Sequence, residues 1–504
     1  MNRRLSWSTQ APAKCDIKLL RAALALKYGY NHSATQRPGA DQECPEVTAR
    51  TPTGGSAKRV VKNVANERDV EIIAKWEVES IFPNPPKLQM SGQKLRETCS
   101  RMRPKWGQVC EGNVNKAEQF RTPKWWTCDY LRFVAKVRCA FIGRGGEVYD
   151  NTRVFSAHGI GFRKENYMPE KRSDVGGRYQ AVAHHIYSTY PTATGHFFNQ
   201  ITRLFFLLAV LPEDVPILLP SFGLSDQLRK ILVRSGVASS SKFIPVSGKP
   251  RHKSPGLELK PQYADTVYFA GEMTRCRHHP SCSTWYSLQQ EVCSWQLALP
   301  RVVQREMMWC ALGLATYSTN PLERQSLRKG NDSPRRAVQV LVVDRRDAKT
   351  RMAKNHAELY ARLRASLPPH TIFHEYVGSQ LSLDQQIRMF AWADIVVAPH
   401  GAALGLIVYM RPGGAVIELG YPSREMPLIF MATALSAGLE YYLSISQKGG
   451  HETAMVVDVD DAVRCAQMAY KAITGKVVGE VSAAESEEGQ EGVAVVNAVR
   501  YELG

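Results

Sequence analysis

Apolar positions change period repeatedly along the chain, and the changes divide it. Between residues 337 and 475, short β-branched runs alternate with stretches of helical spacing. Residues 338–343, 371–376, 395–398 and 415–419 read as buried strands, and 351–365 and 383–392 as helices. The stretch ADIVVAPHGAALGLIVYMRPGGAVIELGYP, beginning at Ala393, concentrates this rhythm. Pro399 ends one apolar run and His400-Gly401 supplies a turn. Residues 402–410 read as a helix stopped by Pro412-Gly413-Gly414, before the next strand. Strand, glycine turn, helix, strand is half of a dinucleotide-fold sheet, whose ligands sit at the carboxyl ends of the strands.

An earlier alternation is less regular. Helices at 197–211, 225–235 and 302–314 intersperse strands at 215–219, 242–246 and 266–270. Residues 66–80 scan as helical within an otherwise turn-rich, basic region. The expected organisation is a basic extension, partly disordered (1–120), and a first α/β domain (121–318). A polar linker (319–336), a second α/β domain (337–475) and an acidic low-complexity tail (476–504) complete it. Two such domains in succession imply a cleft between their sheets.

Composition is that of a globular chain: 44% hydrophobic and 22% charged over 504 residues. The net charge of +18 changes the picture, leaving open nucleic acid, an anionic small molecule or polymer, and a basic surface with no specific task. The 11 cysteines follow no C-x-x-C spacing, although Cys276, Cys282 and Cys293 lie near His278 and His279. Disulfides in an oxidising compartment are the better expectation than zinc there. Sequons at Asn31 and Asn331 are compatible with a secretory route, and no apolar run approaches the ~20 residues of a membrane helix.

Candidate chemistry gathers at the carboxyl edge of the second sheet. A turn between strand and helix, with a glycine, offers backbone N–H groups to an anion, and His400 can donate as well. Arg345, Arg346 and Arg351 follow strand 338–343 and reach the same edge, where guanidinium groups suit a diphosphate. Glu418, at the end of the last strand, is a candidate acceptor for ribose hydroxyls. The Asp-x-Asp of DVDD (458–461) imitates a metal motif but reads better as a helix cap.

These residues resemble the C-terminal motifs of glycosyltransferase family 61. The matching positions are Gln386 to Arg388, His400 to Ala402, Leu404, Pro412-Gly413 and Ile417 to Leu419, with an upstream arginine motif at Arg346, Arg351 and Asn355. TGHFFNQITRLFFLL in the first domain is similar to the segment that opens the family's catalytic region, and the resemblance spans roughly 185–443. It implies a GT-B-like α/β architecture, two Rossmann-like domains facing a cleft. The activity implied is inverting, metal-independent transfer of a sugar from a UDP-sugar to a glycan or glycoprotein hydroxyl, in the lumen of the endoplasmic reticulum or Golgi. Arg346, Arg351, Asn355, Gln386, His400, Gly401, Ala402 and Glu418 would bind the donor, and His196 is the candidate base. UDP-sugar is then a co-substrate, with no cofactor, no metal and no nucleic-acid partner expected. No transmembrane anchor is visible.

The sequence departs from the family pattern at Ala403 and Gly405, where a second glycine and a Thr or Ser are usual. It departs again at Asn199 and Gln200, where an acidic residue often follows the histidine. Two alternatives therefore stay open: an inactive relative, and a non-enzymatic binder of nucleic acid or anionic polysaccharide using the basic N-terminal third and Trp125-Trp126.

Overall fold

The computed structural model describes residues 60–61, 70–78, 129–143, 146–150, 153–156, 175–186, 201–250, 257–258, 260–275, 298–314, 337–422, 426 and 429–475. His196, Asn199 and Gln200, the cysteine-histidine segment 276–293, both sequons, the Trp125-Trp126 pair, the linker and the acidic tail lie outside them.

The first half is built on a 9-stranded mixed sheet. Its strands are β1 (Val60–Val61), β2 (Val70–Val78), β3 (Asp129–Ile142), β4 (Val148–Tyr149), β5 (Arg153–Ser156), β6 (Gly177–His184), β7 (Ile217–Pro220), β8 (Phe243–Val246) and β11 (Gln262–Arg275). A short ribbon pairs β9 (Lys249–Pro250) with β10 (Leu257–Glu258). From β11 through β6 and β7 to β8 the pairing is parallel, whereas β3 runs antiparallel to both β11 and β2. Only one side of this sheet is therefore Rossmann-like.

Two strands fall inside the expected N-terminal extension. The helix expected at 66–80 is corrected to strand β2. A bulge between Ile72 and Ala74 shifts the strand by one residue. That slip breaks the alternation of VEIIAKWEV into two phases, which scan together as a helical period.

Helices α1 (Thr202–Val210), α2 (Gly223–Arg234) and α3 (Ala298–Ala311) complete this half. The second half is an all-parallel, 5-stranded sheet ordered β13-β12-β14-β15-β16. These strands are β12 (Gln339–Val343), β13 (Ile372–Tyr376), β14 (Ile395–Pro399), β15 (Ala415–Gly420) and β16 (Glu440–Ile445). Its helices are α4 (His356–Ser366), α5 (Leu383–Trp392), α6 (Ile429–Ser436) and α7 (Val459–Thr474). This is the doubly wound order 2-1-3-4-5. Its connections reverse direction between β12 and β14, and that switch point opens a crevice at the carboxyl edge.

Local chemistry places these helices well. Ser382 and Gln385 form a reciprocal capping box at the start of α5. Asp458 caps α7 by accepting from Asp461 N, so the Asp-x-Asp motif is a helix start. The expected helix at 402–410 is a 3-10 helix, Ala402–Tyr409. Gly405 and the β-branched pair Ile407-Val408 weaken a regular α-helix there, and burial against α3, α5 and α6 holds the tighter winding.

One face of the second sheet packs under α4 and α7, through Val340, Val342, Val397 and Ile417 against Leu359, Leu363, Ala462 and Ala466. The other face, including Leu341, Val396, Ala398 and Val416, enters a core shared with Phe205, Leu208, Met307 and Trp309 of the first half. Helix α3 forms the seam. Gln304 Nε2 donates to Tyr409 Oη (2.8 Å), Trp309 Nε1 to the Tyr409 carbonyl (3.0 Å) and Arg305 Nη1 to the Ala437 carbonyl (3.1 Å). In the first turn of α2, Gln227 accepts from Leu383 N at the first turn of α5 (3.1 Å). Those turns follow the carboxyl ends of β7 and β13, so the carboxyl edges of the two sheets lie on the same side of the seam.

Candidate active site at the switch point

The loop after β12 and the turn after β14 meet across the crevice. Arg345 lies with its guanidinium against Gly401: a Cβ built on that glycine would stand 2.7 Å from Arg345 Cζ and closer still to Nη1. Gly401 has φ 163 and ψ −176, extended backbone open to any residue, so its missing side chain matters for space alone. Arg345 Nη2 donates to the Thr350 carbonyl at 3.4 Å, while its buried Nε has no hydrogen-bond partner among the described residues.

Arg351 is held nearby in the left-handed region, φ 55, with its N–H donating to the Thr453 carbonyl at 2.8 Å. Its Nε is also buried without a partner among the described residues. A non-glycine residue in this region costs on the order of 1–3 kcal/mol and persists where surroundings impose it, often at functional sites. Burial first, and Arg351 second, pull Arg345 down to about 10. The crevice thus holds two neighbouring guanidinium groups, one of them largely desolvated, and a bound anion would relieve both penalties.

On the opposite wall, His400 is 3% exposed and Glu418 fully buried. His400 Nδ1 lies 2.5 Å from Glu418 Oε1, and Tyr441 Oη donates to Glu418 Oε2 at 2.6 Å. The His400 ring meets Tyr421 edge-on (5.5 Å, 86°) and packs at a tilt on Phe430 (5.1 Å, 60°). Glu418, expected to accept ribose hydroxyls, has no exposed surface and both oxygens engaged. It faces His400 instead, because in register with Ala398 and Leu443 its side chain is on the face that enters the core shared with the first half.

The remaining expected residues separate by role. Arg346, 53% exposed, is ion-paired with Asp344 and with Glu375 (2.7 Å), so its charge is turned away from the anion expected of it. Asn355 donates to the Val457 carbonyl (3.0 Å) and accepts from Val457 N (2.9 Å), clamping the start of α4 to the segment before α7. Gln386 accepts from Tyr376 Oη (2.8 Å) and donates to the Gly378 and Leu381 carbonyls, fixing the loop before α5. Ala402 opens the 3-10 helix beside Gly401, where leading N–H groups of a helix lack internal partners.

Asp344, His356 and Glu375 place ligand atoms within 4.8 Å of one another, a spacing a metal ion would accept. Arg346 is paired with both carboxylates, so a cation there has a resident competitor.

Sequence alone grouped Arg345 with its neighbours but assigned the donor to Arg346 and Arg351, because adjacent residues on a loop carry no periodic signal that would single out Arg345. Tyr441, Tyr421 and Phe430 were not legible as site residues: Tyr441 reaches Glu418 from β16, and Tyr421 and Phe430 reach His400 from just past β15 and from α6.

The family described as Glycosyltransferase 61 matches residues 194–417, a span that includes α1, α3, the arginine loop and the His400-Gly401 turn. Among solved structures, a metal-soaked Flv1 flavodiiron core from Synechocystis sp. PCC6803 is 10% identical, with 56% of this chain and 78% of that chain covered, at a TM-score of 0.21. A holo form of Rhodotorula graminis D-mandelate dehydrogenase is 7% identical, with 59% and 93% covered, at a TM-score of 0.16. Scores this low carry no argument about this chain. No curated protein matches it.

Proposed function

Residues 194–417 belong to glycosyltransferase family 61, and on that premise we propose that the protein transfers a sugar from a UDP-sugar to a glycan or protein hydroxyl. The donor diphosphate would lie at the β12/β14 switch point, with Arg345 and Arg351 on one side and the Gly401 turn and His400 on the other. The observation that carries this reading is Arg345, half-buried against Gly401, whose buried Nε has no hydrogen-bond partner among the described residues. The nucleoside would extend along the carboxyl ends of β15 and β16. The first half, whose carboxyl edge faces the same way, would hold the acceptor in a GT-B-like arrangement.

Transfer is proposed to invert the anomeric carbon in a single displacement. The acceptor oxygen attacks C1 as the C1–O bond to the diphosphate breaks, a general base takes the acceptor proton, and UDP leaves. The leaving group develops negative charge, and fixed guanidinium groups in a desolvated crevice stabilise it without reorganising. That supports a metal-independent reaction. His196 stays the proposed base. Disulfide bonding at Cys139 and Cys310 supports an oxidising lumen such as the endoplasmic reticulum or Golgi. No helix among the described residues is long and apolar enough to cross a membrane.

Incubation with a panel of UDP-sugars and glycan or glycopeptide acceptors tests this, with anomeric configuration read by NMR. An inverted product is expected. A retained product would contradict the single displacement, and no transfer from any UDP-sugar would favour an inactive relative.

A further inference from the structure

Glu418 is an ionisable side chain with no solvent exposure on a sheet face otherwise lined by Val396, Ala398, Val416 and Leu443. An apolar residue would pack there at no desolvation cost, whereas a buried carboxylate is tolerated only when its lone pairs are met. Among the described residues they are met by His400 Nδ1 on Oε1 and Tyr441 Oη on Oε2. Tyr441 is itself fully committed to this contact, and burial, then Glu418, raises its hydroxyl well above the ordinary value. It stays a neutral donor. The ring of His400 is fixed in plane by Glu418 and on its sides by Tyr421 and Phe430. Among the described residues, none hydrogen-bonds its second nitrogen, Nε2.

Resting on the donor-site reading, we infer that Glu418 and Tyr441 are positioning residues that act through His400. Glu418 holds the proton on Nδ1 and fixes the ring, and Tyr441 fixes Glu418. Nε2 is thereby kept in one direction, as the atom that meets a diphosphate oxygen. When Nε2 also carries a proton the ring is cationic, with Glu418 as a buried counter-charge that prevents a third isolated positive charge beside Arg345 and Arg351. The arrangement parallels a carboxylate that sets the tautomer of a catalytic histidine, moved to the leaving-group side of the reaction.

A double-mutant cycle on UDP binding separates this from mere packing. Glu418→Gln keeps the shape, and in the parent background it is expected to weaken UDP roughly ten- to a hundredfold, the range for a hydrogen bond to a charged group. Tyr441→Phe should weaken it less. In a His400→Ala background, Glu418→Gln should cost no further affinity, because its effect travels through the ring. An equal loss in both backgrounds would overturn the proposal. So would a Glu418→Gln variant that binds UDP as tightly as the parent.

The dyad also has a readout that needs no ligand. Imidazole 15N spectra should show His400 protonated at Nδ1 in the parent, and the signal should change in Glu418→Leu. His400 protonated only at Nε2 would overturn the positioning role. Parent protein that shows the Nδ1 proton but binds no UDP would instead remove the donor-site reading on which the role rests.

Discussion

Arg345 and Gly401 face each other across the β12/β14 switch point, with the guanidinium occupying the space a side chain on residue 401 would need. The relationship joins two loops more than fifty residues apart in sequence and gives the crevice its charge. Gly401→Ala is compatible with the extended backbone at that position. The substitution should leave the melting temperature near that of the parent while pushing Arg345 aside. UDP affinity should fall about tenfold or more, the worth of a charge-assisted hydrogen bond. Calorimetry and thermal melts on the same samples check both halves of the expectation.

Two adjacent arginines should behave oppositely. Arg345→Ala removes the half-buried guanidinium at Gly401 and should weaken UDP roughly ten- to a hundredfold. Arg346→Ala removes a half-exposed charge already matched by Asp344 and Glu375; it should change UDP affinity by no more than about threefold, since a charge so matched and so hydrated adds little field at the crevice. Reversed effects would mean that the loop turns over when ligand binds.

The seam through α3 makes a prediction about cooperativity. Trp309 is 1% exposed in a core that draws on both sheets, and its indole N–H binds the Tyr409 carbonyl. Trp309→Ala should cost about 3–5 kcal/mol. Chemical denaturation of the parent should show both halves unfolding in one transition, followed by fluorescence and far-UV circular dichroism. Two separated transitions would show that the halves are independently stable.

Much of the second half was legible because its strands are short, apolar and bounded by strong punctuation. Helix α5 runs from Leu383 to Trp392 as the pattern indicates. Pro399 and Gly413-Gly414 mark the turns on either side of the 3-10 helix. The first half was less legible: β3 and β11 are 14 residues each and pair antiparallel with long-range partners. The bulge in β2 hid its alternation. At the candidate site, the turn and the arginine loop were legible as candidates because they are local features. The sequence reading singled out Arg346 where the side chain set against Gly401 is Arg345, and it could not see that Glu418 faces His400, because those facts depend on side-chain direction and on register with β14 and β16.

Stability should fall on mild acidification. His184 and His185 sit at the end of β6, buried, and the Ile186 N–H donates to His184 Nδ1 at 3.4 Å, which requires an unprotonated nitrogen. Burial first, and Arg203 second, lower His184 to about 3 and His185 well below its ordinary value. The unfolded chain takes up these protons near pH 6.5 and the folded one does not. Below that pH the unfolded state therefore gains, by up to about 1.4 kcal/mol per pH unit for each histidine. The contribution is fully present above pH 6.5 and is lost progressively as pH falls toward 3. Melts of the parent and of a His184→Gln, His185→Gln variant between pH 7 and 5 should show a smaller pH dependence in the variant. Equal slopes would assign acid sensitivity to other groups.

The most direct test of the donor-site account is calorimetric titration of UDP into the parent and Arg345→Ala proteins, each with and without EDTA. The account predicts binding by the parent that EDTA leaves unchanged and that Arg345→Ala weakens at least tenfold. Binding that EDTA abolishes would move the donor chemistry to a cation, with Asp344, His356 and Glu375 its first candidate ligands. Folded parent protein that binds no UDP under either condition would contradict the account.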